Sequence, residues 1–483
     1  MPFLPYEEPG IEVILSLTSF LVLLNITRYI LDRLLYCGII GQILIGIIWG
    51  LPVGGTAWLT KEYQETIQAL GYLGLIGLVF EGGLSTDLKQ LRKAAYISIS
   101  VATVGLLVPI ALSFLLLVLP FPSSSGTMYP TPLAAFSAGA SLCSTSLGTT
   151  FAILSSANMQ HTRVGVILVG AAMMDDVVGL VMVNIVTTLG SGGMGGWPIA
   201  RPIAASFGLL LVSLGLGAYL LQPVWLYLVK CSQSETVTNV SAGNKSDIKE
   251  TALKQFWRIP SLGFLLSTLI LIIFVTIASF IDASVLFAAF IAGGIVNYLW
   301  DIGNRSIEEE PRSNPAQMMY EEYYKPIMDF ILVPFFFASI GFSIPITDMF
   351  KASIVWKGIV YSILMVIAKC LVSLVIYFEY FAKSWSKPRE TQSSTAESTR
   401  VPHIEALLVG FAMVARGEIG FLIASLSQSS GTLLLKNQQN TAIVSGEAVF
   451  LVIVWAVVIC TIVGPVVVGI LVRRIKNQAL DLH

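Results

Sequence analysis

The chain has 483 residues, of which 55% are hydrophobic and only 12% charged, with a formal net charge of −1. Soluble domains carry about twice that share of charge, so there are too few charged residues here to coat a water-facing shell around an apolar core. Near-neutrality also removes the basic excess that a nucleic-acid partner would need. Five cysteines without CxxC spacing and three scattered histidines indicate neither a zinc site nor a disulfide framework, and no cofactor is expected.

The apolar residues fall into long runs, most of them able to cross a ~30 Å hydrocarbon core as helices. Thirteen such runs can be marked: 11–31, 34–51, 66–84, 94–120, 132–155, 163–190, 203–229, 261–280, 283–300, 326–346, 353–379, 403–428 and 445–472. The opening MPFLPYEEPGIEV lacks a basic stretch and a cleavage site, so the first run is expected to stay as a helix. The third run ends on LVFEGGLSTDLKQLRK, where Glu81 either lines a cytoplasmic mouth or caps the next segment.

The fifth run contains SAGASLCSTSLGTT over 137–150, nine of whose fourteen residues are Ser, Thr or Gly. Hydroxyls and unwound carbonyls are hard oxygen ligands that suit an alkali ion, and a broken helix aims its half-helix dipoles at such a site. Thr145 and Ser146 stand at its centre. A small-residue packing face is the other reading of the same segment.

The sixth run, GVILVGAAMMDDVVGLV, holds the strongest signal: Asp175 and Asp176, adjacent and about 100° apart around a helix axis. Charged side chains inside a span are costly and face water, an ion or a partner. Two such close carboxylates cannot both be ionised cheaply, and a proton and a monovalent cation would compete for one of them. Gly165, Ala172 and Gly179 share a face with Asp176, and small residues there let another helix approach closely and let an ion, a monovalent cation as the metal, reach the carboxylate. Lys369, midway along the eleventh run, needs an acidic partner, and the aspartate pair is the obvious one. Arg416 and Glu418 sit two apart in VARGEIG, so either the twelfth helix breaks at Gly417 or the two charges meet different partners. They could serve ion contact or simply stabilise a crossing.

Loop charge fixes an expected orientation. With the N-terminus outside, inward loops and the tail hold 21 basic residues and outward loops 5, Lys357 among the latter. The C-terminus is then cytoplasmic, and 473–483 form a short tail. The organisation expected is an all-α polytopic membrane domain over 1–472, in the plasma membrane or an endomembrane. Two inverted six-helix repeats (11–190 and 261–472) flank a linker helix at 203–229, and each carries a glycine-interrupted helix in fifth place.

TSLGTT, DDVVGLV, PFFFASIGFSI, AKCLVSL and ARGEIG, in this order, together resemble the monovalent cation:proton antiporter superfamily, and most of all its electrogenic double-aspartate branch. The resemblance covers about 11–472. It implies a homodimer of thirteen-helix protomers, each with two crossing discontinuous helices, that exchange Na⁺ or K⁺ for protons by alternating access. By motif position it implies Asp176 as the principal cation and proton carboxylate, Asp175 as the partner of Lys369, Thr145 and Ser146 in the first crossing helix, and Arg416 and Glu418 in the second. The alternative is a sodium-coupled symporter of a small organic anion with a related fold. Lys369 near the carboxylates and the opposite charges at 416–418 argue against it. An intramembrane aspartyl protease would need a GxGD motif, which does not occur.

Overall fold

The computed structural model describes residues 8–35, 38–50, 59–85, 88–123, 126–145, 162–190, 196–217, 219, 222–223, 260–305, 319–342, 344, 346–386, 402–437 and 443–480. Its helices are α1 (Ile11–Leu35), α2 (Gly38–Trp49), α3 (Lys61–Leu84), α4 (Leu88–Ser113), α5 (Pro132–Cys143), α6 (Arg163–Gly190), α7 (Gly196–Leu216), α8 (Pro260–Phe280) and α9 (Val285–Arg305). They continue with α10 (Tyr320–Phe342), α11 (Ala352–Cys370), α12 (Ser373–Ser386), α13 (Pro402–Ala412), α14 (Glu418–Ser429) and α15 (Glu447–Leu480). Among the described residues, eight helices are long and apolar enough to cross a membrane. The protein is therefore a helical, multi-pass membrane protein.

The chain separates into two compact units. One comprises 1–68, 88–192 and 337–483; the other comprises 69–87 and 193–336.

The first unit carries three departures from uninterrupted helices. After Cys143, α5 gives way to extended backbone at Ser144. α13 stops at Ala412, and residues 413–417 run without helix until α14 begins at Glu418. Of the two readings of Arg416 and Glu418, a broken helix is the one observed, and the break extends over five residues. The eleventh run, expected as one helix over 353–379, is also divided. α11 ends just after Lys369, and a tight turn follows in which Val372 N donates to Lys369 O at 3.0 Å and Leu374 N to Leu371 O at 3.0 Å. Lys369 therefore stands in a last turn, not at mid-helix. Leu371 and Val372 at the turn are themselves apolar, so the apolar run conceals it.

A second correction concerns the all-α reading. Four short strands pair antiparallel in the order β1 (Phe121–Ser123), β2 (Gly126–Pro130), β3 (Leu434–Asn437) and β4 (Ile443–Ser445). In the β2–β3 register, Tyr129 lies opposite Lys436. β2 runs directly into α5, where Thr131 caps the helix by accepting from Ala134 N at 3.2 Å and Pro132 fills a first-turn position that needs no donor. At the other hairpin, α14 ends on Gly431, whose φ of +72° suits glycine.

With no hydrophobic drive between helices in lipid, close packing and polar ties hold such a unit. Ser113 Oγ on α4 donates to Ala135 O on α5 at 2.8 Å, and Ser98 Oγ donates to Ile167 O on α6 at 3.2 Å. A buried apolar cluster joins Val101, Ile167, Leu168, Val372, Val409 and Met413. Lys357, counted above among loop charges, is 2% exposed inside α11. It donates to Pro120 O and lies 4.1 Å from the Phe121 ring centroid, so the ammonium finds a carbonyl and a π-face.

In the second unit, Gly74 on α3 meets α10 backbone to backbone: a Cβ there would stand 2.5 Å from Leu332 C. Residues 320–324 and 328–332 of α10 are wound as π-helix. Tyr320 and Tyr324 stack at 5.4 Å, and the Tyr324 hydroxyl bonds to that of Thr268.

Candidate functional site

Three of the residues singled out in the sequence meet in the first unit. Lys369 Nζ donates to Asp175 Oδ2 at 3.0 Å and to Thr145 Oγ1 at 3.0 Å. Thr145 Oγ1 in turn donates to Asp175 Oδ2 at 2.7 Å, while Met413 O stands 3.4 Å from the same hydroxyl. Lys369 and Asp175 are both 0% exposed. The group is thus built from four places: the last turn of α11, the middle of α6, and the non-helical residues of both broken segments.

At 3.0 Å and an effective dielectric of ~20, the attraction within the ion pair is about 5 kcal/mol. Burying the two ions costs several kcal/mol each, so the net contribution is small. A pair this finely balanced can be opened when another cation or a proton takes the carboxylate. Asp175 Oδ1 is buried and has no hydrogen-bond partner among the described residues, and Ser144 Oγ is in the same condition. Gly179, one turn along α6 from Asp175, allows the approach, since a Cβ there would lie 3.2 Å from Ser144 Cβ and 3.1 Å from Ile419 Cγ2.

Arg416 is 0% exposed and occupies the second break. Its Nη1 donates to Ser144 O at 2.7 Å and reaches Cys143 O at 3.4 Å. These are carbonyls at the C-terminal end of α5, where a helix has unsatisfied acceptors and partial negative charge. Arg416 therefore caps one broken segment from within the other. The Cys460 thiol of α15 lies beside its guanidinium, and Thr461 Oγ1 donates to Arg416 O at 3.1 Å. Gly464 lets α15 come this close, because a Cβ there would stand 2.7 Å from Ala415 N.

Asp176 belongs to α6 and Glu418 opens α14, but the side chains of both lie outside the described residues, as does Ser146 altogether. Glu81 lies in the second unit near the Tyr320 hydroxyl, with Asp329, Lys325 and Glu321 as charged neighbours. Among the described residues, no group of three His, Cys, Asp or Glu side chains could hold a metal ion. The arrangement suits a monovalent cation or a proton at a carboxylate, supplemented by hydroxyl and carbonyl oxygens. Sequence reasoning missed the capping role of Arg416 and the contribution of Met413 O, for which the sequence holds no signal.

Comparison with known proteins bears on what this geometry serves. The family model described as sodium/hydrogen exchanger, transmembrane, matches residues 16–234 and 248–474. The high-affinity Na⁺/H⁺ antiporter NhaS3 of Synechocystis is 26% identical over 374 residues, covering 77% of this chain. This chain spans 66% of that protein's length, just under two thirds. The Na⁺/H⁺-K⁺ antiporter GerN of Bacillus cereus is 24% identical over 408 residues, 84% of this chain and 85% of that protein. The solved sodium proton antiporter MjNhaP1 of Methanocaldococcus jannaschii shares the fold, with a TM-score of 0.57, 16% identity, and coverage of 96% of this chain and 99% of that one.

Proposed function

We propose that this chain, which belongs to the sodium/hydrogen exchanger family, is a cation/proton antiporter rather than an enzyme and exchanges Na⁺ or K⁺ for protons by alternating access around the α6 carboxylates. The observation that carries this reading is the fully buried Lys369–Asp175 pair, tied by Thr145 to both broken segments. Asp176 is the carboxylate that takes cation and proton in turn, with oxygen from Thr145, Ser146 and the unwound carbonyls. Asp175 is held by Lys369 and released as the charge at the site changes. Arg416 stabilises the crossing, Glu418 is the second charge at that crossing, and Glu81 lines a cytoplasmic mouth. The relative from Bacillus cereus, named for both Na⁺ and K⁺, supports including K⁺.

The exchange is electrogenic, as in the double-aspartate branch that the sequence resembles. Each net charge moved couples transport to voltage by ~2.3 kcal/mol per 100 mV. Thirteen spans complete the fold: the eight long helices, with shorter apolar helices at the remaining five places. They form one transmembrane domain of two inverted repeats, with the N-terminus outside, the C-terminus cytoplasmic, and two protomers per assembly. The shorter helices at 132–143, 403–412 and 419–429 support the crossing discontinuous pair.

The test is cation-driven proton flux in proteoliposomes carrying an internal pH dye. Asp176→Asn is expected to abolish it, and exchange at the parent rate in that variant would refute the assignment.

A further inference from the structure

Lys369 leaves α11 in its last turn, and its ammonium crosses to Thr145 and Asp175 over the surface of α4. The α4 residue beneath it is Gly105. A Cβ at this position would stand 3.2 Å from Lys369 Nζ, 3.4 Å from Met413 Cε and 3.6 Å from Val372 Cγ2. The same face of α4 is closed elsewhere, with Val101 0% and Ala102 3% exposed. Among the described residues, the charged and titratable groups facing the ammonium are Asp175, Arg416 and the Cys143 thiol.

We infer that Gly105 is a positioning residue for the exchange reaction: the absence of a side chain there leaves the slot in which the Lys369 ammonium reaches Asp175 and Thr145. The inference rests on the reading above, in which Lys369 holds Asp175 and releases it as the charge at the site changes. An alanine methyl would force the ammonium to give by a few tenths of an ångström, and a valine by more. The two hydrogen bonds of Nζ stand at 3.0 Å, so a shift of a few tenths of an ångström away from the acceptors takes them to or past the long edge of the normal range and weakens both. The slot also selects the cation: a planar guanidinium is broader than an ammonium, and Lys369→Arg would collide with Gly105 or Met413.

The experiment is a double-variant cycle in purified protein and proteoliposomes. Gly105→Ala and Gly105→Val are made in the parent and in Lys369→Gln, and the pH midpoint of exchange and the charge moved are recorded. Expected is a graded displacement of the midpoint, about 0.3 pH unit for alanine and up to about 1 for valine, in the direction that Lys369→Gln takes and absent in the Lys369→Gln background. The same cycle read by denaturant midpoint requires no transport and should show the same non-additivity. Parent behaviour in both Gly105 variants, or equal shifts in both backgrounds, overturns the inference while leaving the role of Lys369 standing. An unchanged midpoint and unchanged charge movement in Lys369→Gln alone removes the underlying reading, and this inference with it. If Gly105→Val does not fold, recovery of folded protein in Gly105→Val/Lys369→Ala supports the slot, and failure of both overturns it.

Discussion

Lys369→Met removes one partner of a fully buried ion pair while preserving most of the side-chain volume. The lysine takes with it about 5 kcal/mol of attraction at 3.0 Å, and its own burial cost is relieved. What remains is Asp175, 0% exposed and left with Thr145 as its one hydrogen-bond partner among the described residues. Stranding a buried charge in this way costs ~3–5 kcal/mol, whereas removing both charges is close to neutral. Asp175→Asn/Lys369→Met should therefore recover all but about 1–2 kcal/mol of the single-variant loss. The assay is denaturant unfolding of detergent-purified protein followed by tryptophan fluorescence, with midpoints compared at a common slope. The sign of the pH dependence follows: protonation neutralises the stranded carboxylate, so the Lys369→Met deficit should shrink from pH 8 to pH 5. A single variant as stable as the parent at pH 8, or a double variant no better than the single, would refute this account of the pair.

The Thr145 hydroxyl both donates to Asp175 and accepts from Lys369. Thr145→Val should slow exchange by about 10–100-fold, equivalent to ~1.5–3 kcal/mol for a charge-assisted bond, and Thr145→Ser should stay within about threefold of the parent; dye-reported flux at fixed pH decides. Arg416→Met uncaps α5 and should cost ~2–4 kcal/mol in the same unfolding assay, with Arg416→Lys restoring part of it. Gly74→Leu drives a side chain into the Leu332 backbone and should destabilise the protein by ~1–3 kcal/mol or more, seen as a lower unfolding midpoint, while Gly208→Ala, with nothing near its Cβ, should leave it unchanged.

Much of this architecture could be read from one-dimensional signals because a charge within an apolar run is conspicuous. Asp175, Lys369 and Arg416 each interrupt a stretch of apolar residues, and all three are fully buried. The first helix break was legible as a concentration of Ser, Thr and Gly, and the second as opposite charges two residues apart. What escaped was whatever composition leaves unmarked. The turn after Lys369 falls at Leu371 and Val372, two apolar residues that do not mark it. Gly105 is one of 41 glycines, and its position under an ammonium emerges only once α4 and α11 are packed. Lys357 looked like a loop charge because its carbonyl and ring partners come from residues 120 and 121, more than 230 positions away. The strands are three to five residues long, and the central pair, β2 with β3, joins across about 300 residues of chain, too short and too distant for any periodicity to reveal.

That small sheet limits how the broken segments can move. β2 passes without a spacer into α5, and α14 reaches β3 through the turn at Gly431 and two further residues. Hydrogen bonds across β2 and β3, with Thr131 N donating to Leu434 O at 3.0 Å just beyond the ladder, tie one end of α5 to one end of α14. Two rods bolted together at one end can tilt as a yoke or splay at the other end, but they cannot slide past each other lengthwise. A displacement along either helix axis would have to shear the whole ladder. Freedom to rearrange is thereby concentrated at the opposite ends of the two helices, where Thr145 and Arg416 stand.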